Sequence, residues 1–162
     1  MKFDNSEIII LGILTDSIAE FYEKDKTLIT DVSQYRVGIE QACAFRIGHY
    51  FCNKIKESSF HFYDIDMEYN KNGTDPKCIN NNRIRPDLIV HKRGSNSDNF
   101  LVVEFKNDLK NNVLNDVMKI ENLTDSSGQY KYQISVLVEL GKDLNSINYR
   151  YFTKRKELVR NG

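Results

Sequence analysis

The 162-residue sequence lacks an excess of charge of either sign, a long hydrophobic run and a paired set of cysteines. Basic and acidic side chains number 23 each, which argues against a protein that coats nucleic acid through bulk attraction to phosphates. The three cysteines, Cys43, Cys52 and Cys78, have no metal-type spacing, so we expect reduced thiols. The apolar run at residues 8–11 is too short to span a bilayer and follows no basic leader, which predicts a cytoplasmic protein without a membrane segment.

Tryptophan is also absent, but its absence excludes no class of protein. No internal repeat, low-complexity tract or proline-rich linker interrupts the chain. A hydrophobic fraction of 40%, with nine tyrosines and nine phenylalanines, is typical of a globular protein. The length therefore predicts a single domain over residues 1–162.

Hydrophobic periodicity predicts an α/β protein with a mixed β-sheet flanked by helices on both faces. A first helix is expected from Ser6, as its cap, to about Lys24. The other predicted elements are helices over about 33–55 and 111–123 and strands over about 60–70, 84–93, 99–107, 130–140 and 147–152. Residues between the first two strands are expected to form a polar loop. A helix joins the central hairpin to the next strand, so part of the sheet is expected to be parallel.

Three charged residues are expected to meet on one face of the central hairpin. If residues 84–93 pair antiparallel with 98–107 around the loop at 94–97, Asp87 lies opposite Glu104. Directly opposite residues have β-carbons about 5 Å apart. Lys106 follows Glu104 by two residues and projects from the same face. A salt-bridge ladder on the surface is the alternative, and strands this rich in Leu, Ile and Val disfavour it.

This group of side chains suits metal-dependent phosphodiester hydrolysis. Two carboxylates supply the hard oxygen ligands that Mg²⁺ or Mn²⁺ prefers. A bound divalent ion can polarise a phosphodiester and lower the pKa of a bound water. The lysine can orient or deprotonate the attacking water, or neutralise charge on the phosphate, and the sequence leaves these roles open.

The sequence resembles the PD-(D/E)xK nuclease superfamily, whose motif is matched by Pro86-Asp87 and by Glu104-Phe105-Lys106. The resemblance implies a restriction-endonuclease-like core with the order α-β-β-β-α-β over residues 33–140, preceded here by an extra N-terminal helix. It also implies a glutamate on the helix before the strands, which Glu40 matches. A narrower similarity, to small uncharacterised bacterial and phage proteins assigned to this superfamily, covers Glu40, Arg46, His49, residues 68–70, 85–87 and 91–94, Asp116 and Lys119.

The resemblance implies Asp87, Glu104 and Glu40 as metal ligands, with Lys106 as the catalytic lysine. A buried ion pair with Arg36 is the alternative for Glu40. Four further residues are candidates for contacts with nucleic acid: Lys119, Arg85, His91 and Gln133. For Lys119 the alternative is a solvated helix face shared with Asp116. For Arg85 the alternative is a basic cluster of the kind that soluble proteins place beside acidic loops. Nothing in the sequence forces His91 or Gln133 toward the site.

The expected function is therefore that of a Mg²⁺- or Mn²⁺-dependent nuclease acting on nucleic acid, with DNA favoured over RNA. Cleavage of both strands with one site per chain would make a homodimer natural. The alternative is a catalytically silent domain of the same fold that binds nucleic acid or another protein. A third interpretation, an α/β protein unrelated to nucleic acid, requires the hairpin register to be coincidental and would be supported if Asp87 and Glu104 lay far apart.

Overall fold

A computed structural model describes residues 3–30, 39–107, 113–154 and 159–160 of the chain. The helices are α1 (Asn5–Lys24), α2 (Thr27–Thr30), α3 (Ile39–Ile55) and α4 (Val113–Thr124), with a 3₁₀ turn at Leu144–Ser146. The strands are β1 (Asp64–Met67), β2 (Lys71–Asn72), β3 (Asp75–Pro76), β4 (Cys78–Ile79), β5 (Asn82–Arg83), β6 (Leu88–His91), β7 (Leu101–Lys106), β8 (Ile134–Glu139), β9 (Asn148–Thr153) and β10 (Val159–Arg160). None of the helices in these ranges is long and apolar enough to cross a membrane.

The main sheet is mixed and has the strand order β1-β6-β7-β8-β9-β10. Strands β1, β6 and β7 form an antiparallel meander, and β8 runs parallel to β7. Helix α4 lies between these two strands in the chain and provides the crossover that a parallel pair requires. The α/β class, the mixed sheet and the parallel segment are thus confirmed.

Helices cover both faces of the sheet, as predicted. Alternate residues of a strand point to opposite faces, so Leu88 and Val90 of β6 pack in the core with α1 and α3. On the other face, Ile89 clusters with Leu123 of α4, and Ile120 of α4 clusters with Leu137 of β8. The β-strands at the centre are therefore buried on both sides, which explains their nearly continuous apolar sequence.

The cap of helix α1 is Asp4, two residues before Ser6, the predicted cap. The Asp4 carboxylate accepts a hydrogen bond from the Glu7 backbone N–H at 2.8 Å, and the Glu7 side chain accepts one from the Asp4 N–H at 2.9 Å. This reciprocal pair is a capping box, and its Asp-x-x-Glu spacing decides where the helix starts. Ile10, Leu14, Ile18 and Phe21, which recur at helical spacing in the sequence, are buried and form the core-facing side of α1.

Helix α3 is less enclosed than the sequence suggests. Residues 33–38 of the predicted helix lie outside the described residues, as does Arg36. One side of α3 packs in the core through Cys43, Ile47 and Phe51. Apolar residues surround most of this helix in the sequence and suggest packing on more than one side, but Phe45 is 63% exposed. This exposed phenylalanine lies five residues after Glu40 on the same helix.

Two small hairpins occupy the stretch that the sequence predicted as a polar loop. Strands β2 and β3 pair around Gly73, and β4 and β5 pair around Asn80 and Asn81. Gly73, Asn80 and Asn81 all have positive φ, at 64°, 49° and 64°, which two-residue hairpin turns require. The predicted strands on either side shorten accordingly, since β1 spans only Asp64–Met67 and β6 begins at Leu88.

Two glycines provide a matched test of packing. A β-carbon on Gly141 would overlap the side chain and the carbonyl oxygen of Ser146, whereas one on Gly12 would meet no atom within 4 Å. We expect Gly141→Ala to lower the free energy of unfolding by about 1–3 kcal/mol, because backbone must move to relieve the overlap. Gly12→Ala, in the interior of α1, should raise it by up to about 1 kcal/mol. Urea denaturation of both variants measures the difference, and equal effects would contradict the packing described.

Candidate active site

Asp87 and Glu104 face each other across the β6–β7 hairpin. The ladder pairs Leu88 with Val103, Ile89 with Val102 and Val90 with Leu101, and its extension by one pair brings Asp87 opposite Glu104. The predicted register is therefore confirmed. The Phe105 backbone N–H donates a hydrogen bond of 2.8 Å to Oδ2 of Asp87, which fixes this carboxylate against β7.

Both carboxylates are buried, Asp87 with 8% of its surface exposed and Glu104 with 2%. A salt-bridge ladder on the surface is thus excluded for this pair. Burial raises the pKa of Asp87 to about 6, against the lowering effect of the Phe105 hydrogen bond. Burial likewise raises the pKa of Glu104 to about 8, and the neighbouring charge of Asp87 adds to the increase. Two buried acids that resist ionisation form a site that a cation would stabilise.

Two lysines connect the hairpin to its surroundings: Lys119 of α4 contacts Glu104, and Lys106 of β7 contacts Asp116 of α4. Lys119 Nζ of α4 lies 2.5 Å from Glu104 Oε1, and Lys106 Nζ lies 3.6 Å from Asp116 Oδ2. Despite its short distance to Lys119, Glu104 Oε1 has no well-aligned hydrogen bond with any described residue. Asp116, which the sequence favoured as part of a solvated helix face, thus contacts the predicted catalytic lysine.

Glu40 enters the site from α3. Its Oε1 accepts a hydrogen bond of 2.8 Å from Lys106 Nζ, and its Oε2 lies 3.4 Å from the Asn107 backbone N–H. The sequence predicted a place for Glu40 beside the hairpin, and the structure identifies Lys106 as its partner. The pKa of Lys106 is raised: burial lowers it, but the hydrogen bond that Lys106 donates to Glu40 and the charges of Glu40 and Asp116 together outweigh burial. Lys106 is therefore an ammonium ion at neutral pH.

A shallow cavity of about 280 Å³ adjoins this group. Its lining consists of Gln41, Ala44, Phe45, Met67, Glu68 and Arg85. Arg85 forms an ion pair with Glu68, and the Glu68 backbone N–H donates to the Asp87 carbonyl at 3.1 Å. The cavity therefore presents the exposed ring of Phe45 from α3 and the guanidinium group of Arg85, which lies two residues before Asp87 in the chain.

The four predicted nucleic-acid contacts divide into two pairs. Lys119 and Arg85 adjoin Glu104 and Asp87, as described above. His91 lies four residues along the strand from Asp87, about 13 Å at 3.3 Å per residue, and its Nε2 is 2.8 Å from Asp66 Oδ2. Gln133 precedes β8 and its amide donates to Asp4 at 3.2 Å, so it does not join the site. Alternation specifies the face of a strand but not the distance along it, so the sequence could not place His91 or Gln133 relative to Asp87.

The described residues contain no group of three or more His, Cys, Asp or Glu side chains gathered closely enough to hold a metal ion. Glu40 is separated from the other two predicted ligands by the Lys106 ammonium that it binds. The chemistry of the donors nevertheless fits a divalent cation, since Asp87 and Glu104 are neighbouring oxygen donors and Glu104 Oε1 lacks an aligned partner among the described residues. A cation there would favour the ionised form of both acids.

Comparison of the chain with known protein families, with curated proteins and with solved structures gives no match. The site must therefore be interpreted from its own geometry.

Proposed function

We propose that this chain is a metal-dependent nuclease of the PD-(D/E)xK type, with a restriction-endonuclease-like core, that hydrolyses phosphodiester bonds in nucleic acid, DNA in preference to RNA. The observation that carries the proposal is the pair of buried carboxylates, Asp87 and Glu104, opposite each other on the face that Lys106 shares. Acids with raised pKa values in a group of convergent charges are typical of functional sites. A surface or purely structural role gives no reason to bury two acids side by side.

Asp87 and Glu104 would hold Mg²⁺ or Mn²⁺, with Glu40 as a third ligand or as a hydrogen-bond acceptor for water. The bound ion would supply electrostatic stabilisation of the phosphoryl group and a more acidic water. Lys106 keeps its proton, so we assign it to stabilising negative charge on the phosphate rather than to abstracting a proton. Glu40 holds the Lys106 ammonium in place, and Lys119 provides a second cation beside Glu104.

One observation favours the second candidate, a catalytically silent nuclease-fold domain that binds nucleic acid or protein. Glu104 and Glu40 already form ion pairs with Lys119 and Lys106, an arrangement that balances charge without a metal. If these pairs are permanent, the site cannot recruit an ion. Metal binding therefore separates the two candidates.

The decisive experiment is cleavage of a panel of labelled single- and double-stranded DNA and RNA with Mg²⁺, with Mn²⁺ and with chelator. We expect metal-dependent cleavage by the wild type and none by Asp87→Asn, which keeps the shape of the side chain but weakens it as a ligand. Asp16→Asn, a change on the exposed face of α1, is the matched control and should cleave normally. If no substrate is cut and calorimetry detects no bound Mg²⁺ or Mn²⁺, the silent module replaces the nuclease.

A further inference from the structure

A second cavity, of about 190 Å³, lies beyond the other end of β6 from Asp87. It is formed by the β2–β3 hairpin, by His91 at the end of β6 and by the loop that follows. Its polar lining residues are Lys71, Asn72, Lys77, His91, Ser95 and Asn96. No aspartate or glutamate among the described residues lines it. The cavity is therefore rich in cationic groups and hydrogen-bond donors and has no acidic side chain in its wall.

Lys77 is the unusual member of this lining. It is only 1% exposed, and no described residue forms a hydrogen bond or an ion pair with its side chain. Its Nζ instead lies 4.6 Å from the ring centroid of Tyr130 and 5.8 Å from those of Tyr69 and Tyr132. Rings of tyrosine partly stabilise an ammonium ion, but they provide no counter-charge. A buried lysine without a carboxylate is rare, because burying an unpaired charge is costly.

Asp66, the carboxylate that contacts the lining residue His91, already has a cationic partner. Asp66 accepts hydrogen bonds from the Arg93 guanidinium at 2.5 and 2.8 Å, and His91 Nε2 lies 2.8 Å from the same carboxylate. Burial lowers the pKa of Lys77 to about 8, with no opposing contribution from an acid. At neutral pH most Lys77 side chains therefore carry a positive charge that nothing in the described chain balances.

The backbone around the cavity is also suited to an anion. Gly73 and Gly94 both line it with positive φ, at 64° and 82°, and neither has a neighbouring atom within 4 Å of the position of a β-carbon. Asn96 donates a 2.7 Å hydrogen bond to Asn72, which ties the β2–β3 hairpin to the loop after β6. Turn backbones in such conformations expose N–H groups to anions.

We propose that this cavity binds a phosphate group, with Lys77 as its counter-charge and amide groups of the two turns as hydrogen-bond donors. A phosphate would satisfy the one buried cation that lacks a partner in the described chain. It would also explain why the polar loop folds into hairpins that enclose a lysine. The nearest physiological source, and here the inference rests on the proposed nuclease function, is a phosphate of the nucleic-acid strand away from the bond that is cut.

The position of the cavity agrees with that source. His91 and Asp87 project from the same face of β6 and lie about 13 Å apart. This distance equals about four base-pair steps along the axis of B-form DNA, at 3.4 Å per step. Strand β6 is itself buried, so a nucleic acid that spans this distance over the surface of the molecule would place one phosphate at the candidate active site and another at Lys77.

The first test is calorimetric titration with inorganic phosphate at constant ionic strength, which requires neither nucleic acid nor metal. We expect saturable binding by the wild type and at least about tenfold weaker binding by Lys77→Met, because the variant loses the charged hydrogen bond to the phosphate. Lys142→Met, at an exposed lysine, should bind phosphate like the wild type. No binding by the wild type, or equal binding by all three proteins, would overturn the proposal.

A measurement on the wild type alone guards against misfolding of the Lys77 variant. Titration of the lysine Cε resonances by NMR should show one lysine with a pKa of about 8, and added phosphate should move that pKa upward. His91, Lys71 and the three tyrosines are the titratable groups around it, so their resonances should be followed together. A low lysine pKa that phosphate does not change would overturn the assignment to Lys77.

The source of the phosphate is tested with oligonucleotides in the presence of chelator, with and without a 5′-phosphate. If Lys77→Met binds both oligonucleotides more weakly than the wild type does, the cavity holds an internal phosphate. If it binds only the 5′-phosphorylated oligonucleotide more weakly, the cavity holds a terminal phosphate. If neither depends on Lys77 while inorganic phosphate does, the nucleic-acid source is wrong and the phosphate site remains. Metal-dependent cleavage by the wild type, measured separately, shows whether the proposed function itself has failed.

Discussion

Replacing Lys106 with methionine will lower the rate of metal-dependent cleavage by about 10²–10³-fold without unfolding the protein. The expected size is that of removing one preorganised electrostatic donor to a transition state. Lys106 is half-buried between Glu40 and Asp116, which hold its ammonium group and raise its pKa. Because methionine keeps the length of the side chain and removes only the charge, the loss should appear in kcat more than in KM.

The pH dependence of the Lys106→Met rate distinguishes the two roles that the sequence left open. If Lys106 stabilises charge, its replacement leaves the shape of the pH–rate profile near neutrality unchanged. If Lys106 is a general base, its replacement removes the rising limb of that profile. Lys106→Arg should recover part of the rate, because a guanidinium keeps the charge. Lys142→Met serves as the control, and an equal loss of rate there would argue against a specific role for Lys106.

Replacing Glu104 with glutamine will abolish cleavage and, in chelator, will make the protein more stable than the wild type at pH 8. The pKa of Glu104 is raised from 4.5 to about 8 in the folded chain. Below about pH 4.5 the Glu104 side chain is protonated in both the folded and the unfolded chain, and its contribution to stability is fully present. As the pH rises from there through about 8, the unfolded chain loses this proton more readily than the folded chain, and the contribution is lost. Over that whole window the loss is on the order of 4 kcal/mol, and roughly half of it falls between pH 6 and pH 8.

Urea denaturation at pH 6 and pH 8 measures this difference. The free energy of unfolding of the wild type should fall between the two pH values by more than that of the glutamine variant. Added Mg²⁺ or Mn²⁺ should restore the wild type at pH 8 and leave the variant unchanged, because a metal ion binds the ionised carboxylate. Glu139→Gln is the matched control: Glu139 is also buried and lies 2.9 Å from Arg150, and its loss should not stabilise the protein. Equal changes in the free energy of unfolding for Glu104→Gln and Glu139→Gln would contradict this description of Glu104.

The hairpin at the centre of the site was predictable because antiparallel pairing around a short loop is a matter of counting. Once the loop is placed at residues 94–97, each residue has one possible partner, and Asp87 meets Glu104. Helical spacing similarly predicted the buried stripe of α1. These features depend on neighbours in sequence or on one turn, so the sequence carries them directly.

Other features depend on how separate elements dock, and the sequence carries them poorly. Glu40 was placed near the site, but its contact with Lys106 depends on the position of α3 against β7. The contacts of Asp116 with Lys106 and of Lys119 with Glu104 likewise depend on where α4 lies on the sheet. Lys77 could not be recognised as buried, because its surroundings form only when the β2–β3 hairpin lies against the loop after β6.

The edge strand β1 limits how two copies of this chain could associate. It is only four residues long and carries Asp64 and Asp66, both of which form ion pairs with Arg93. Short edge strands with charged side chains discourage the addition of a further strand from another molecule. A second copy would thus meet like charges at this boundary instead of a template for backbone pairing. The chain is accordingly protected here against growth of its sheet into larger aggregates, and any dimer would have to form through another surface.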